Sequence, residues 1–512
     1  MIARLIRHGV TSFFRSPVAT IFTVAMPLLM MVIVGMAVGD QVTDPATGAH
    51  VMQSVVPMMT AFGVAQGCFG ALAIYLARLR DRGWLKRLRG TPVPAWAVLL
   101  GLAGSVLVIA LITAAVLIGA GLVFYDLQIV WRTTPALLLT LCVGTLAFTA
   151  LGFALVALVR DAAAVQLTGT GLLLALAFLS DIILVGGRPP LWLDRIGWFF
   201  PLRHLAHAVR DCFNPYLTGS GFAGDHLAVI VAWGVVGALI ALWRFRWEPA
   251  HARAGAVHRT RGRAPGRSPL LGQVGHTLAR SRRDLSAAFF TVALPVLLLT
   301  LISLIFPGAR VGGTPLPVFI LAAMMTYTVG SACYVNVAEW MAADREKGVL
   351  KRLAGTPLPR WMYHVGLAVT AMVLTLVTWL ALGLIAQFGY GAAIPPAAFP
   401  IMLTALVLGG ACFALLGAVV ATLVSRQQTA GAVTLGTFLP LAFISDVFLT
   451  GGPLPTFLQT AGDIFPLKHL SHALLASLNG RPSPWPDLTV IAAWAAAGAL
   501  TLALLRRQKK RA

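Results

Sequence analysis

The chain has 512 residues, of which 58% are hydrophobic and only 11% charged, with a formal net charge of +22. A soluble domain carries roughly 25% charged residues, so a water-facing globule is excluded and the bilayer must be the main solvent. Backbone polar groups in hydrocarbon must be satisfied within the segment, and long Leu-, Ala- and Gly-rich runs without alternation choose helices over a closed barrel.

A spanning helix needs about 20 apolar residues. Such stretches fall in chain order at 18–39, 54–77, 95–124, 135–158, 163–185 and 226–243, then at 285–306, 317–342, 361–386, 398–424, 429–450 and 487–505. The expected fold is an all-α polytopic membrane protein of about twelve spans. The first run, from Val18, is too long for a signal-peptide core and is read as a retained span. The five cysteines (Cys68, Cys142, Cys212, Cys333, Cys412) are scattered without a CxxC pair, so they are expected to be small buried hydrophobes.

Lys and Arg set the orientation. With the N-terminus in the cytoplasm, the segments on that side total +25 and the opposite ones zero; Asp181, Glu339 and Asp446 at span ends complete the +22. Both termini are therefore expected to be cytoplasmic, and the basic excess needs no nucleic-acid partner. Arg outnumbers Lys 33 to 6, which with the Ala and Gly load suggests a GC-rich bacterial genome and hence the bacterial inner membrane.

An internal repeat organises the chain. Gly83–Trp96 recurs as Gly348–Trp361 with ten of fourteen residues identical, Phe178–Pro190 as Phe443–Pro455, and Phe200–Ala208 as Phe465–Ala473, all at one offset of 265. Six spans per copy make the two copies enter the membrane in the same sense, a parallel repeat. The expected domains are a first six-span unit (1–245), a basic linker (246–280) holding the start of a second interfacial helix, and a second unit (281–512). Each unit opens on an amphipathic segment suited to the headgroup region: Ile2, Leu5, Ile6, Val10, Phe13 and Phe14 share one face, and Leu270, Leu271, Val274 and Leu278 form a weaker copy.

The loop after the second span of each unit is the pivotal motif. It holds Arg80, Asp81, Arg82, Gly83, Lys86, Arg87, Gly90, Thr91 and Pro92 in the first copy, and Arg345, Glu346, Lys347, Gly348, Lys351, Arg352, Gly355, Thr356 and Pro357 in the second. Leu85 and Leu88, like Leu350 and Leu353, face one way on a short helix, with the Lys-Arg pair hydrated and Gly-Thr-Pro terminating it. Net charge alone would not need the same Gly, Leu and Thr-Pro twice, so the loop is read as a docking element. Nearer the outer face stand Ser180, Asp181, Pro201, His204 and His207, repeated as Ser445, Asp446, Pro466, His469 and His472. The histidines are spaced i, i+3. A metal site is conceivable, but no Cys or acid accompanies them at ligand spacing, and none is expected. Asp181 and Asp446 are read as helix caps or vestibule lining, or else as groups that drive transport, and both readings stay open.

The run Arg345–Leu358 resembles the coupling segment of ABC-2 type permeases, the membrane subunits typified by daunorubicin-resistance exporters, whose architecture is also called type V exporter-like. The Ser-Asp…Gly-Gly segment and the Phe-Pro-Leu-(Arg/Lys)-His run resemble that family's outer hairpin. The resemblance covers nearly all of the chain, once per half. It implies that two six-span units form the path and that residues 345–348 and 351–357 meet a separate ATP-binding-cassette ATPase, in two copies. The first loop departs from the pattern at Asp81 and Trp84. The implied cargo is a hydrophobic or amphipathic small molecule such as a drug, antibiotic or lipid, alongside membrane lipid.

No GxxxxGK[ST] motif and no Gly-Lys pair occur, so Mg-ATP is expected on the partner and no cofactor or catalytic residue in this chain. HExxH and GxSxG motifs are missing too, which argues against an enzyme. The alternative, an ion-coupled secondary transporter, wants ionisable groups near mid-membrane, and the span centres have none.

Overall fold

The computed structural model describes residues 2–15, 20–38, 42–44, 49–89, 95–159, 161–182, 189–244, 269–281, 284–424, 426–448, 455–480 and 484–511. It divides into two compact units, Met1–Arg261 and Gly262–Ala512. Gly90, Thr91, Pro92, residue 245 and linker residues 246–268 lie outside the described residues. The C-terminal part of the expected linker lies in a helix, Pro269–Ser281.

Among the described residues, eight helices are long and apolar enough to cross a membrane: Met52–Asp81, Leu100–Tyr125, Trp131–Leu158 and Gly224–Arg244 in unit 1, and Leu316–Glu346, Trp361–Gly389, Ala398–Leu423 and Trp485–Leu505 in unit 2. Shorter apolar helices cover Thr23–Val32, Ala164–Leu179 and Phe289–Ile305. The eleventh expected span is met by Gln427–Ile444, with Pro440 inside it. Two small antiparallel ribbons follow the first span of each unit, Val42–Asp44 with Ala49–His50 and Arg310–Val311 with Thr314–Pro315.

In each unit the second span is the core. The apolar windows of Met52–Asp81 and Leu316–Glu346 are 78% and 89% buried, against 17% for the last span of either unit. Lipid tails are as apolar as Leu, so these helices associate by close packing, and small residues decide how close. Both second spans widen into π-helical turns, Gln66–Ala71 and Gly330–Asn336. The fourth span presses a glycine onto each. A Cβ on Gly152 would lie 2.9 Å from the Cys68 carbonyl oxygen, and one on Gly417 2.6 Å from that of Tyr334. In the last spans Leu239, Leu242, Trp243, Leu500 and Leu504 stay exposed, as a lipid-facing surface requires.

The opening helices, Ile2–Phe14 and Pro269–Ser281, lie against the third spans. Gly101 and Gly104 receive Leu5 and Ile6, and Gly366 receives Gln273. Of the cysteines, Cys68, Cys212, Cys333 and Cys412 are buried and Cys142 is half-buried.

Candidate functional site

Each second span ends where its helix meets a left-handed glycine, Gly83 or Gly348, both at φ 68°. Glycine adopts that conformation at no steric cost, so the chain turns there and starts a new six-residue helix, Trp84–Arg89 or Val349–Ala354. The sequence reading placed the critical glycine at the far end. Gly355 does cap the second helix, but at φ −84°, with no left-handed turn. Lys86 and Arg87 in unit 1 and Lys351 and Arg352 in unit 2 are exposed, as are Thr356 and Pro357. Leu85 is fully buried, whereas no residue of Val349–Ala354 is. The two short helices therefore present the same basic pair, the first on a firmer apolar footing.

The residues just before these glycines bond within their own unit, while Asp81 and Glu346 stay exposed. Arg80, 4% exposed, donates to the carbonyl oxygens of Val156 (2.5 Å) and Val159 (2.9 Å) at the end of the fourth span. Asp81 accepts from the backbone N–H of Ala162 at 2.8 Å, the first residue of the fifth span. Unit 2 repeats this: Arg345 donates to Ala421 (2.5 Å) and Val424 (3.0 Å), and Glu346 accepts from Gln427 N–H at 3.2 Å. Every partner is shifted by 265. A cation thus meets unsatisfied carbonyls at one helix C-terminus while an anion meets the N–H groups of the next helix, the favourable sense for both dipoles. Arg82 and Lys347, between clamp and glycine, are exposed.

At the opposite end of each unit, Asp181 and Asp446 take positive φ (57° and 59°) where the fifth span stops. Ile182 and Val447 then reach back to the carbonyls of Ala177 and Ala442, a five-residue closure of the helix end. The preceding hydroxyls of Ser180 and Ser445 are buried and find no partner among the described residues. Pro201 and Pro466 open the short buried helices Pro201–Asp211 and Pro466–Leu478, a position where a missing N–H costs nothing. Arg203, 5% exposed, binds Asp181 (2.8 Å) and Asp194 (2.6 Å) and lies 4.4 Å from the Trp198 ring. Lys468 replaces it in unit 2 and binds Asp463 at 2.7 Å. His207 and His472 stand 3.6 and 3.8 Å from Asp181 and Asp446.

His204 and His469 differ in a partner that the sequence reading missed. His204 donates from Nε2 to the Trp198 carbonyl at 2.7 Å, so its Nδ1, 2.9 Å from His226 Nδ1, acts as the acceptor in the neutral ring. His469 meets the Asp463 carbonyl at 2.8 Å and the Asp487 carboxylate at 2.7 Å. His226 and Asp487 both open the last span of their unit, and Trp233 and Trp494 two turns on bond the Phe199 and Ile464 carbonyls. The 265 offset has fallen to 261 by this point, which hid the correspondence. Among the described residues no group of three His, Cys, Asp or Glu side chains is placed to hold a metal ion.

The structure thus brings together two kinds of assembly in each unit: an exposed basic helix backed by an Arg–acid clamp, and a buried cation tying the opposite hairpin. A comparison with curated proteins finds no match. A family model, ABC-2 type transporter, matches residues 2–214 and 275–479, once in each unit. That match and the apolar helices make the chain an integral membrane protein and a transport component, and the family implies pairing with an ATP-binding-cassette ATPase. The chain therefore belongs to the ABC-2 type transporter family, as a tandem permease with one copy of the membrane domain in each half.

Proposed function

We propose that this chain is a membrane-spanning subunit of an ATP-driven exporter, moving a hydrophobic or amphipathic small molecule out of a bacterial cell. Two copies of a separate ATPase dock on the short basic helices, with Mg-ATP held by the partner and both termini of this chain in the cytoplasm. The observation that carries this reading is the exposed Lys-Arg pair, Lys86–Arg87 and Lys351–Arg352, displayed twice behind the same left-handed glycine in a family that works with such an ATPase. Spans with almost no charge favour an apolar or amphipathic cargo over an ionic one. Ion-coupled transport is not favoured.

The test is co-purification from native membranes in mild detergent, with mass spectrometry for a P-loop ATPase. Wild type is expected to recover one, and a variant with all four basic residues changed to Glu (K86E/R87E/K351E/R352E) to lose it. Failure of wild type to retain any ATPase contradicts the proposal.

A further inference from the structure

Arg345 and Glu346 were expected to meet the ATPase, yet both also bond inside unit 2, as does Asp344 beside them. Arg345 holds the last carbonyls of the fourth span and Glu346 the first N–H of the fifth. Asp344, 5% exposed, accepts from Arg280 of the opening helix at 2.5 Å and from the Tyr363 hydroxyl of the third span at 2.8 Å. Three consecutive side chains at the end of the second span therefore bond four other elements. In unit 1 the corresponding residues are Leu79, Arg80 and Asp81, so the fourth- and fifth-span bonds persist while the acid that ties the opening helix and third span is missing.

We infer that this triplet is a transmission joint, with Arg345 and Glu346 acting as positioning residues that pass displacement of the short basic helix to the fourth and fifth spans. Asp344 adds the opening helix and third span in unit 2 alone, which makes the two loops mechanically unequal. Arg345 is three residues from Gly348, a tether of at most about 10 Å when fully extended. A push on Val349–Ala354 has little slack before it reaches the joint. The joint itself resists stretching, because parting Arg345 from its carbonyls leaves part-buried polar groups without these partners. Charge-assisted bonds to backbone also move whole helix ends rather than single side chains.

This inference rests on the ATPase-docking reading above, and the experiment separates the two. The full chain, co-purified with its ATPase in lipid nanodiscs, carries spin labels at Phe399, exposed at the far end of the fourth span, and at Arg310, exposed in the ribbon after the first. Their distance distribution is recorded with and without vanadate-trapped nucleotide, in wild type and in R345K and E346Q, which keep size while weakening the bonds. The expected result is ATPase recovery and basal ATP hydrolysis within twofold of wild type in both variants, with the nucleotide-driven distance shift cut to less than half. R80K, as a control in unit 1, leaves this unit 2 shift within 20% of wild type. Loss of ATPase recovery in R345K or E346Q would make these residues docking contacts and overturn the joint. A shift absent in wild type or undiminished in both variants overturns it as well, while the docking reading stands. Absence of any ATPase with wild type removes the docking reading first and the joint with it.

Discussion

His469 holds Asp487 through Nδ1 at 2.7 Å, fixing the short buried helix to the first turn of the last span. An acid there also suits the helix N-terminus. Asp487→Ala strips His469 of that acceptor, and losing a bond to a charged group costs about 1.5–3 kcal/mol. Asp487→His copies the His204–His226 arrangement of unit 1 and keeps a partner. Thermal unfolding of the purified chain in detergent should order the midpoints wild type, D487H, D487A. Equal midpoints for wild type and D487A would contradict the role given to this pair.

The cation of the hairpin leans on different neighbours in the two units: Arg203 on the Trp198 ring, Lys468 on the Asp463 carboxylate five residues before it. The hydrogen bond from Lys468 holds the Asp463 carboxyl below its usual range, with partial burial working weakly the other way. A carboxyl whose folded-state value is depressed contributes its stabilisation above the unfolded value, and loses it as pH falls through the folded one. The window therefore opens at about pH 4 and runs downward. Asp463 is largely exposed, so the effect stays under about 1 kcal/mol. Wild type should lose more of its unfolding midpoint between pH 5 and 3 than D463N does; parallel curves would rule the contribution out.

Arg203 has no such exposure. Its removal leaves Asp181 and Asp194 without their shared cation; both carboxylates keep about a third of their surface in solvent, so the cost is about 1–3 kcal/mol. Arg203→Ala should lower the yield of monodisperse protein on size exclusion. Arg203→Lys should recover most of it, since a lysine serves at the matching position of unit 2. Similar yields of R203A and wild type would contradict this.

Helix approach in the core makes an independent prediction. Gly417→Ala and Gly152→Ala put a Cβ 2.6 and 2.9 Å from backbone oxygens of the second span, where nothing flexible can give way. Overpacking of this kind costs about 1–3 kcal/mol. Gly119→Ala meets nothing within 4 Å and serves as the control. Unfolding midpoints should fall for the first two and hold for the third.

How much of this was written in the sequence varies with the kind of bond. Apolar runs and the 265-residue offset show the helices and the duplication, because both are periodic in side-chain type. Arg345 looks like a docking residue since it stands in a basic loop. Its partners, the carbonyls of Ala421 and Val424, are backbone atoms 76 and 79 residues away that no side chain advertises. His226 and Asp487 escaped for another reason: they differ in type and sit where the repeat offset has slipped by four. Lys351 and Arg352 read correctly as hydrated because a six-residue helix between a glycine and a Thr-Pro has little to bury them.

The most direct test of the whole account is site-specific photo-crosslinking in native membranes. A benzophenone amino acid would replace Lys86, Lys351 or Arg352 on the short basic helices, or Phe399 at the far end of the fourth span. A crosslinked ATP-binding-cassette ATPase is expected from all three helix positions and none from Phe399. No ATPase adduct from any of the three, under conditions where the protein is intact, would contradict it.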